Sequence, residues 1–394
     1  MYSEAGSGQF LSSRVREIQP SGIRAFFGLK AAGDDTIALG VGEPDFVTPE
    51  KVREACIQAL REGQTKYTSN AGLMELREEL SSYFLGSFAL SYDPEQEIIV
   101  TVGSSQAVDL ALRAVINPGD EVLIPAPSYI AYDPIAQLHG GKIVEVATMA
   151  EQQFKLTPQA LQAAITPQSK VLMINYPSNP TGAVMTEQDW KPIAELIIKH
   201  NLVVISDEVY AELTYERQHI SVASLPGMKE RTIVISGFSK AFAMTGWRVG
   251  YACGPRELIG GMLKIHQYTT MCAPTLAQIA ALESLRHGLA AKDEMMASYN
   301  ERRKLFVAGL NAIGLACHKP EGAFYAFPSI ASTGMSSEQF ALRLMQEAKV
   351  AVVPGHVFGP GGEGFIRCSY ATSLVDLEKA LERMEKFMQV MQPV

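Results

Sequence analysis

Short apolar runs rich in β-branched residues alternate with amphipathic stretches through the middle of the chain. Glu97–Val102 (EIIVTV) predicts a strand, Ser105–Ile116 a helix ended by Asn117-Pro118-Gly119-Asp120, and Glu121–Ile124 the next strand. Lys142–Val146, Lys170–Ile174 (KVLMI), Leu202–Ser206 (LVVIS), Thr232–Ser236 (TIVIS) and Val249–Cys253 continue the series. Strands that are apolar on both faces and separated by helical segments predict an α/β fold, with a mostly parallel sheet between helices. After about residue 285 the pattern changes to long helical stretches with short strands at Gly322–Phe327, Val350–Val353 and Gly364–Ser369. That change predicts a smaller α+β domain. The expected division is an N-terminal arm (1–47) joining the small domain, a large domain (48–285) and the small C-terminal domain (286–394).

Composition narrows the class. The 394 residues are 47% hydrophobic and 19% charged, an ordinary globular balance, and carry a formal net charge of -8. That balance speaks against a nucleic-acid partner, which would need a basic face. The five cysteines are scattered and never form C-x-x-C, so they read as reduced thiols and not as a disulfide framework or a zinc site. No metal site is expected. The N-terminus lacks a signal-type apolar core, and no stretch approaches eighteen uninterrupted apolar residues. The expectation is a soluble, cytoplasmic protein without a membrane partner.

In a parallel sheet, ligands bind outside the carboxyl ends of the strands. Four segments follow directly on strands: Gly103-Ser104-Ser105-Gln106-Ala107, Asn175 to Gly182, Ser206-Asp207-Glu208-Val209-Tyr210, and Ser236-Gly237-Phe238-Ser239-Lys240 running on to Arg248. Together they suit an anionic heteroaromatic cofactor. Ser104 and Ser105 open a helix whose free N–H groups can take a phosphate. Ser239 and Arg248 add donors. Asp207, buried at a strand end, needs a cationic partner such as a protonated ring nitrogen. Tyr210 and Asn179 can reach a ring hydroxyl, and Tyr129 can stack on the ring. Lys240, near Arg248, would have a depressed amine pKa and act as a nucleophile.

Each residue taken alone has a plainer reading. A strand-end Asp is commonly a cap, Asn179-Pro180-Thr181-Gly182 is a good turn, and a Lys after Ser is commonly surface. Arg367 is harder to dismiss, because arginine on an apolar strand normally has an anionic partner. Gly359 to Gly364 fits G-x-G-x-x-G but precedes a strand and opens no helix, which excludes a dinucleotide site. The order and joint placement of the segments carry the argument.

With these residues in place the chain resembles the class I and II aminotransferases of pyridoxal-phosphate fold type I, and most of all the bacterial aspartate, aromatic and N-acetyl-diaminopimelate branch. The likeness runs from Gly42-Glu43-Pro44-Asp45-Phe46 through Lys66-Tyr67-Thr68 and the four segments to Gly322-Ala323-Phe324-Tyr325 and Arg367-Cys368-Ser369-Tyr370. Its most specific run is Ser239 to Arg248 (SKAFAMTGWR). The resemblance implies a seven-stranded sheet and pyridoxal 5'-phosphate held by Lys240 as a Schiff base. It implies that Lys240 also moves the reaction's proton and that Asp207 keeps the ring nitrogen protonated. Tyr210 and Asn179 would bond the ring hydroxyl, Tyr129 stack on the ring, and Ser104, Ser105, Ser239 and Arg248 hold the phosphate. Tyr67 would reach the neighbouring subunit's phosphate, giving a homodimer with shared sites. Arg367, Gly42 and Asn179 would grip the substrate carboxylate. One position departs: many relatives carry a serine three residues before the lysine, where this chain has Gly237, leaving Ser236 as a candidate replacement.

The implied reaction is a ping-pong transamination between an L-amino acid and a 2-oxo acid such as 2-oxoglutarate. Ser21-Gly22-Ile23-Arg24 and His266-Gln267-Tyr268 resemble the aromatic and N-acetyl-diaminopimelate enzymes, with Ile23 lining an apolar pocket or Arg24 supplying a cation. An aspartate aminotransferase and a carbon–sulfur β-lyase are the alternatives. A ligand-sensing regulator would need a DNA-binding segment, and a dehydrogenase a dinucleotide fingerprint; neither is expected here.

Overall fold

The computed structural model describes residues 10–20, 22 and 35–391. The strands in chain order begin with β1 (Ile37–Ala38), β2 (Ile98–Thr101), β3 (Glu121–Ala126), β4 (Lys142–Ala147), β5 (Ser169–Asn175) and β6 (Val203–Asp207). They continue with β7 (Thr232–Gly237), β8 (Gly250–Cys253), β9 (Tyr325–Ala326), β10 (Val350–Ala351), β11 (Val353–Pro354) and β12 (Ile366–Ser369).

Seven of these build one sheet in the order β2-β8-β7-β6-β5-β3-β4. The neighbours from β4 across to β7 pair in parallel. β8 runs antiparallel to both β7 and β2. The reason is the connection: between β7 and β8 lie only the short Phe238–Ala241 helix and one 3-10 turn, too little for a parallel crossover helix.

The apolar runs are buried on both faces because adjacent residues feed opposite cores. Ile233 and Ile235 pack into one cluster, with Val234 between them turned into another. Val122 and Ile124 likewise oppose Leu123. Helices Gly103–Val115 and Arg256–Thr269 cover the first face, and Glu187–Lys199 covers part of the second. The edge strand β4 is fully buried only at Val146, while Lys142, Glu145 and Ala147 stay open to solvent, as expected of a sheet edge.

A further apolar cluster joins the two ends of the chain, from Ile37 and Leu39 to Met295, Phe340, Leu377 and Met388. There β1 pairs in parallel with β10, and β11, β12 and β9 form an antiparallel sheet. The run Gly322–Phe327 supplies only two strand residues, since Gly322 instead bridges Thr214 and ties this body to the loop after β6. Register sets Asn175 beside Asp207, and Asp207 beside Ile235, so the segments after β5, β6 and β7 emerge side by side. No helix among the described residues is long and apolar enough to cross a membrane.

Candidate active site

A cavity of about 940 Å³ lies at these strand ends, and Ser104, Ser105, Asp207, Lys240, Arg248 and Arg367 all line it. At its base, the Gly103–Val115 helix starts directly after β2. Its first-turn N–H groups have no acceptor within the helix. Gly103 has φ +76°, and a Cβ there would lie 2.6 Å from Arg248 Nη2. A Cβ on Gly250 would lie 2.5 Å from the Ser104 nitrogen. Only glycines let β8 and the arginine close on this helix start, which leaves an open cradle of N–H groups, hydroxyls and one guanidinium. Arg248 itself is held by a bond from Nη1 to the Thr245 carbonyl at 3.0 Å.

Asp207 ends β6 and is 5% exposed. One carboxylate oxygen accepts from Tyr132 Oη at 2.7 Å and the other from the Val209 N–H at 3.2 Å. Burial pushes its pKa up to about 6, opposed by those two donors. Each carboxylate oxygen has two lone pairs, so acceptor capacity remains.

Lys240 sits in the short helix after β7, and its Nζ donates to the Gly42 carbonyl at 2.6 Å. Burial lowers its pKa to about 8, with Arg367 and Arg248 acting in the same direction and Glu43 against them. Gly42 has no alternative: a Cβ there would lie 2.2 Å from Tyr325 Oη.

Arg367 on β12 is 2% exposed. It donates to Asn179 Oδ1 at 2.8 Å and to the Gly40 carbonyl at 2.6 Å, while its Nε has no partner. Its guanidinium lies 4.4 Å from the Tyr325 ring centre and 5.0 Å from that of Phe358. Among the described residues no carboxylate forms an ion pair with Arg367, Arg248 or Lys240. Asn179 is oriented in turn by its N–H bond to Asn175 Oδ1 at 2.9 Å. Tyr210 meets Tyr325 through their hydroxyls at 2.9 Å.

The structure thus brings together Gly42, Ser104, Ser105, Tyr129, Asn179, Asp207, Tyr210, Ser239, Lys240, Arg248 and Arg367 around one cavity. Tyr67 does not line it and is 79% exposed. Ile23 and Arg24 lie outside the described residues. Ser236 is no replacement at the Gly237 position: its hydroxyl donates to the Glu208 carbonyl at 3.3 Å, and it does not line the cavity. A Cβ on Gly237 would sit 3.1 Å from the Gly250 Cα, so the backbone of β8 takes that space.

Sequence reasoning missed Tyr132 and Asn175 and gave Tyr325 no role. Tyr132 follows Tyr129 by three residues, a helical spacing that could have drawn attention to it. The outer wall was also missed; it is apolar, built from Ile18, Ile130, Ile135 and Val357.

A buried lysine near a strand-end carboxylate, an N–H cradle at a helix start and a buried arginine, gathered at the carboxyl ends of a seven-stranded sheet, suit an enzyme of pyridoxal-phosphate fold type I. The comparisons agree. The description "aminotransferase class I and II" matches residues 34–384, and the chain belongs to that family. YugH of Bacillus subtilis, named only as an aminotransferase, is 58% identical over 379 residues, covering 96% of this chain and 98% of that protein. An aspartate aminotransferase of Pyrococcus abyssi is 46% identical, covering 95% and 97%. The crystal structure of an aromatic aminotransferase from Pyrococcus horikoshii superposes with a TM-score of 0.89 at 44% identity, covering 93% of this chain and 99% of that one. The chain is an aminotransferase, and the family's cofactor is pyridoxal phosphate. The donor set fits that group: a cradle for its phosphate, a carboxylate with acceptor capacity for its ring nitrogen, and an amine for its aldehyde.

Proposed function

We propose that the chain moves an amino group from an L-amino acid to a 2-oxo acid in two half-reactions, as a cytoplasmic homodimer, with aromatic or similarly apolar side chains favoured. Arg367 carries the reading: a buried cation without an anionic partner among the described residues asks for a carboxylate, which every α-amino acid and 2-oxo acid supplies.

Ser104, Ser105, Ser239 and Arg248 would hold the phosphate, Asp207 the ring nitrogen, Tyr210 and Asn179 the ring hydroxyl, and Tyr129 the ring face. When bound, pyridoxal phosphate supplies an electron sink for the bond broken at the substrate α-carbon. The chain supplies position and protons. Arg367 and Asn179 grip the substrate carboxylate, with the Gly42 backbone beside them, and so fix which α-carbon bond faces Lys240. Lys240 Nζ, freed for bonding at mildly basic pH, carries a proton from the α-carbon and returns it within the site. Asp207, as an anion, holds the positive charge that the ring needs.

The apolar wall supports the aromatic preference. An acidic side chain would need a further cation, and Arg24 is the candidate from sequence. Tyr67, too exposed to serve its own cavity, supports the dimer, in which it would complete the partner's site. The core uniting Ile37 and Leu39 with residues from Met295 onward, which Val209, Tyr210, Leu213 and Tyr215 join from the other side, supports division into arm 1–47, large domain 48–285 and small domain 286–394.

The test is single-turnover exposure of the loaded enzyme to phenylalanine or aspartate without acceptor. One 2-oxo acid released per site, and renewed turnover only on adding a 2-oxo acid, is expected. In a parallel exposure to a cystathionine-like amino acid, continuous release of the thiol, ammonia and pyruvate without an acceptor would instead make the enzyme a β-lyase.

A further inference from the structure

Among the described residues Asp207 receives one side-chain donor, and that donor comes from outside the four strand-end segments. We propose that Tyr132 is a positioning residue of the reaction, holding the Asp207 carboxylate as an anion through its hydroxyl and the Tyr129 ring through its edge. The inference rests on the reading that Asp207 and Tyr129 bind the cofactor ring.

Tyr132 opens the Tyr132–Leu138 helix and is 1% exposed. Its Oη lies 2.7 Å from Asp207 Oδ2. An ionised carboxylate only accepts, so the phenol donates. Burial and the facing carboxylate hold that phenol well above its ordinary range, so it stays a donor at every working pH. Burial favours the neutral form of Asp207; of the groups that oppose this, Tyr132 acts most strongly, ahead of the Val209 N–H and the Lys240 charge, while Glu208 acts the other way. Losing Tyr132's bond would leave one oxygen of a buried carboxylate without its donor, the expensive kind of vacancy.

The same ring meets Tyr129 edge-on, with centres 5.4 Å apart and planes at 80°. One residue thereby orients the group that faces the ring nitrogen and the group that faces the ring plane. Simple packing is the competing explanation, since Tyr132 also belongs to the core around Val122, Ile205 and Ile235. Tyr132→Phe separates the two, because it keeps the packing and the Tyr129 edge and removes only the donor.

The measurement is the pH titration of the Asp207 carboxyl carbon by 13C NMR in cofactor-free protein, assigned by its loss in Asp207→Asn. Tyr132→Phe is expected to raise the proton affinity of Asp207 about tenfold. Tyr132 replaced by 3-fluorotyrosine, a stronger donor of nearly the same shape, is expected to lower it. In fully loaded enzyme Tyr132→Phe should lower kcat about tenfold and leave KM for the amino acid within twofold. An unchanged titration in Tyr132→Phe, or an unchanged kcat, overturns the inference. If Tyr132→Phe does not fold, the fluorotyrosine protein decides, and an unmoved titration overturns it. Asp207→Asn with undiminished turnover would instead overturn the reading of Asp207, and the titration distinguishes that failure from this one.

Discussion

Arg303 and Arg367 are both buried against tyrosine rings, and they are satisfied to very different degrees. Arg303 is 1% exposed and lies 4.9 Å from the Tyr215 ring centre. Its donors reach Asn300 Oδ1 at 2.7 Å, the Pro320 carbonyl at 2.7 Å and the Glu216 carboxylate at 2.6 Å. Arg367 is equally buried and stacked, yet among the described residues it meets an amide and a carbonyl and its Nε meets no acceptor. A structural arginine has its charge answered within the chain; a binding arginine leaves it for the ligand. Asp207 and Glu208, successive residues at the end of β6, repeat the lesson. Glu208 accepts from Ser206 at 2.8 Å, Ser221 at 2.7 Å and His219 at 2.7 Å, whereas Asp207, facing the cavity, accepts from Tyr132 and Val209 alone among the described residues.

The largest expected effect is at Lys240, the third incompletely answered charge. Lys240→Ala should lower turnover on the order of 10⁴-fold or more and leave the cofactor-free melting temperature at or above that of the wild type. Steady-state transamination near the wild-type rate would remove Lys240 from the reaction. The arginine pair comes next. Arg367→Met should lower kcat/KM by roughly 10²–10³-fold without loss of stability, since it removes a buried cation that lacks an anion. Arg303→Met should do the reverse, lowering unfolding free energy by roughly 2–4 kcal/mol while activity per folded molecule holds. Denaturant melts beside kinetics on the same preparations decide it. Equal stability losses in both variants would end the distinction.

The carboxylate pair sharpens the comparison with pH. Asp207 has a pKa of about 6 in the folded protein against an ordinary 3.8. Its folded state therefore favours the neutral acid, so cofactor-free protein loses stability as pH rises through 3.8 to 6, and the cost stays in place above that window. Its upper bound is about 3 kcal/mol. Asp207→Asn should flatten that part of the stability profile and leave the cofactor-free protein roughly 1–3 kcal/mol more stable at pH 7. Glu208→Gln should destabilise by roughly 1–3 kcal/mol at neutral pH, because an amide N–H₂ would be set against groups that now donate. Urea midpoints from pH 4 to 8 would show whether the two slopes separate.

How far this was legible in the sequence depends on the distance between partners along the chain. Strands β2, β3 and β5 to β8 could be read because both their faces are buried, which writes a continuous apolar run into the sequence. The residues directly after them could then be read as site residues, since the parallel sheet gathers its carboxyl ends. Tyr132 could not be matched to its partner that way: it reaches Asp207 across 75 positions, and its spacing from Tyr129 carries no sign of so distant a contact. The Tyr210–Tyr325 contact spans 115 positions and the Arg367–Gly40 bond 327. The reversal of β8 was hidden because Gly250–Cys253 is as buried as the parallel strands of the sheet, and direction leaves no mark on composition. Ser236 stayed open as a candidate because composition does not tell which way a strand residue faces. Along the strand it alternates with Gly237, so its hydroxyl turns away from the cavity.

The smallest expected effect concerns the apolar wall. Ile18, Ile130, Ile135 and Val357 line the outer cavity, and a Cβ on Gly22 would lie 3.2 Å from Val357 Cγ1, so the N-terminal segment packs closely over that side chain. Val357→Ala removes two methyl groups' worth of wall. Hydrophobic contacts of that size discriminate by about 1–2 kcal/mol at most. The loss should fall on substrates whose side chains reach the wall: kcat/KM for phenylalanine should drop roughly 3–10-fold, while that for aspartate stays within twofold, because a short acidic side chain gains nothing from methyl groups. Arg24→Ala provides the opposite arm, sparing phenylalanine and weakening aspartate if Arg24 faces the substrate. A proportional fall for both substrates in Val357→Ala would mean that the wall only seats the N-terminal segment, and the aromatic preference would then have to come from elsewhere in the site.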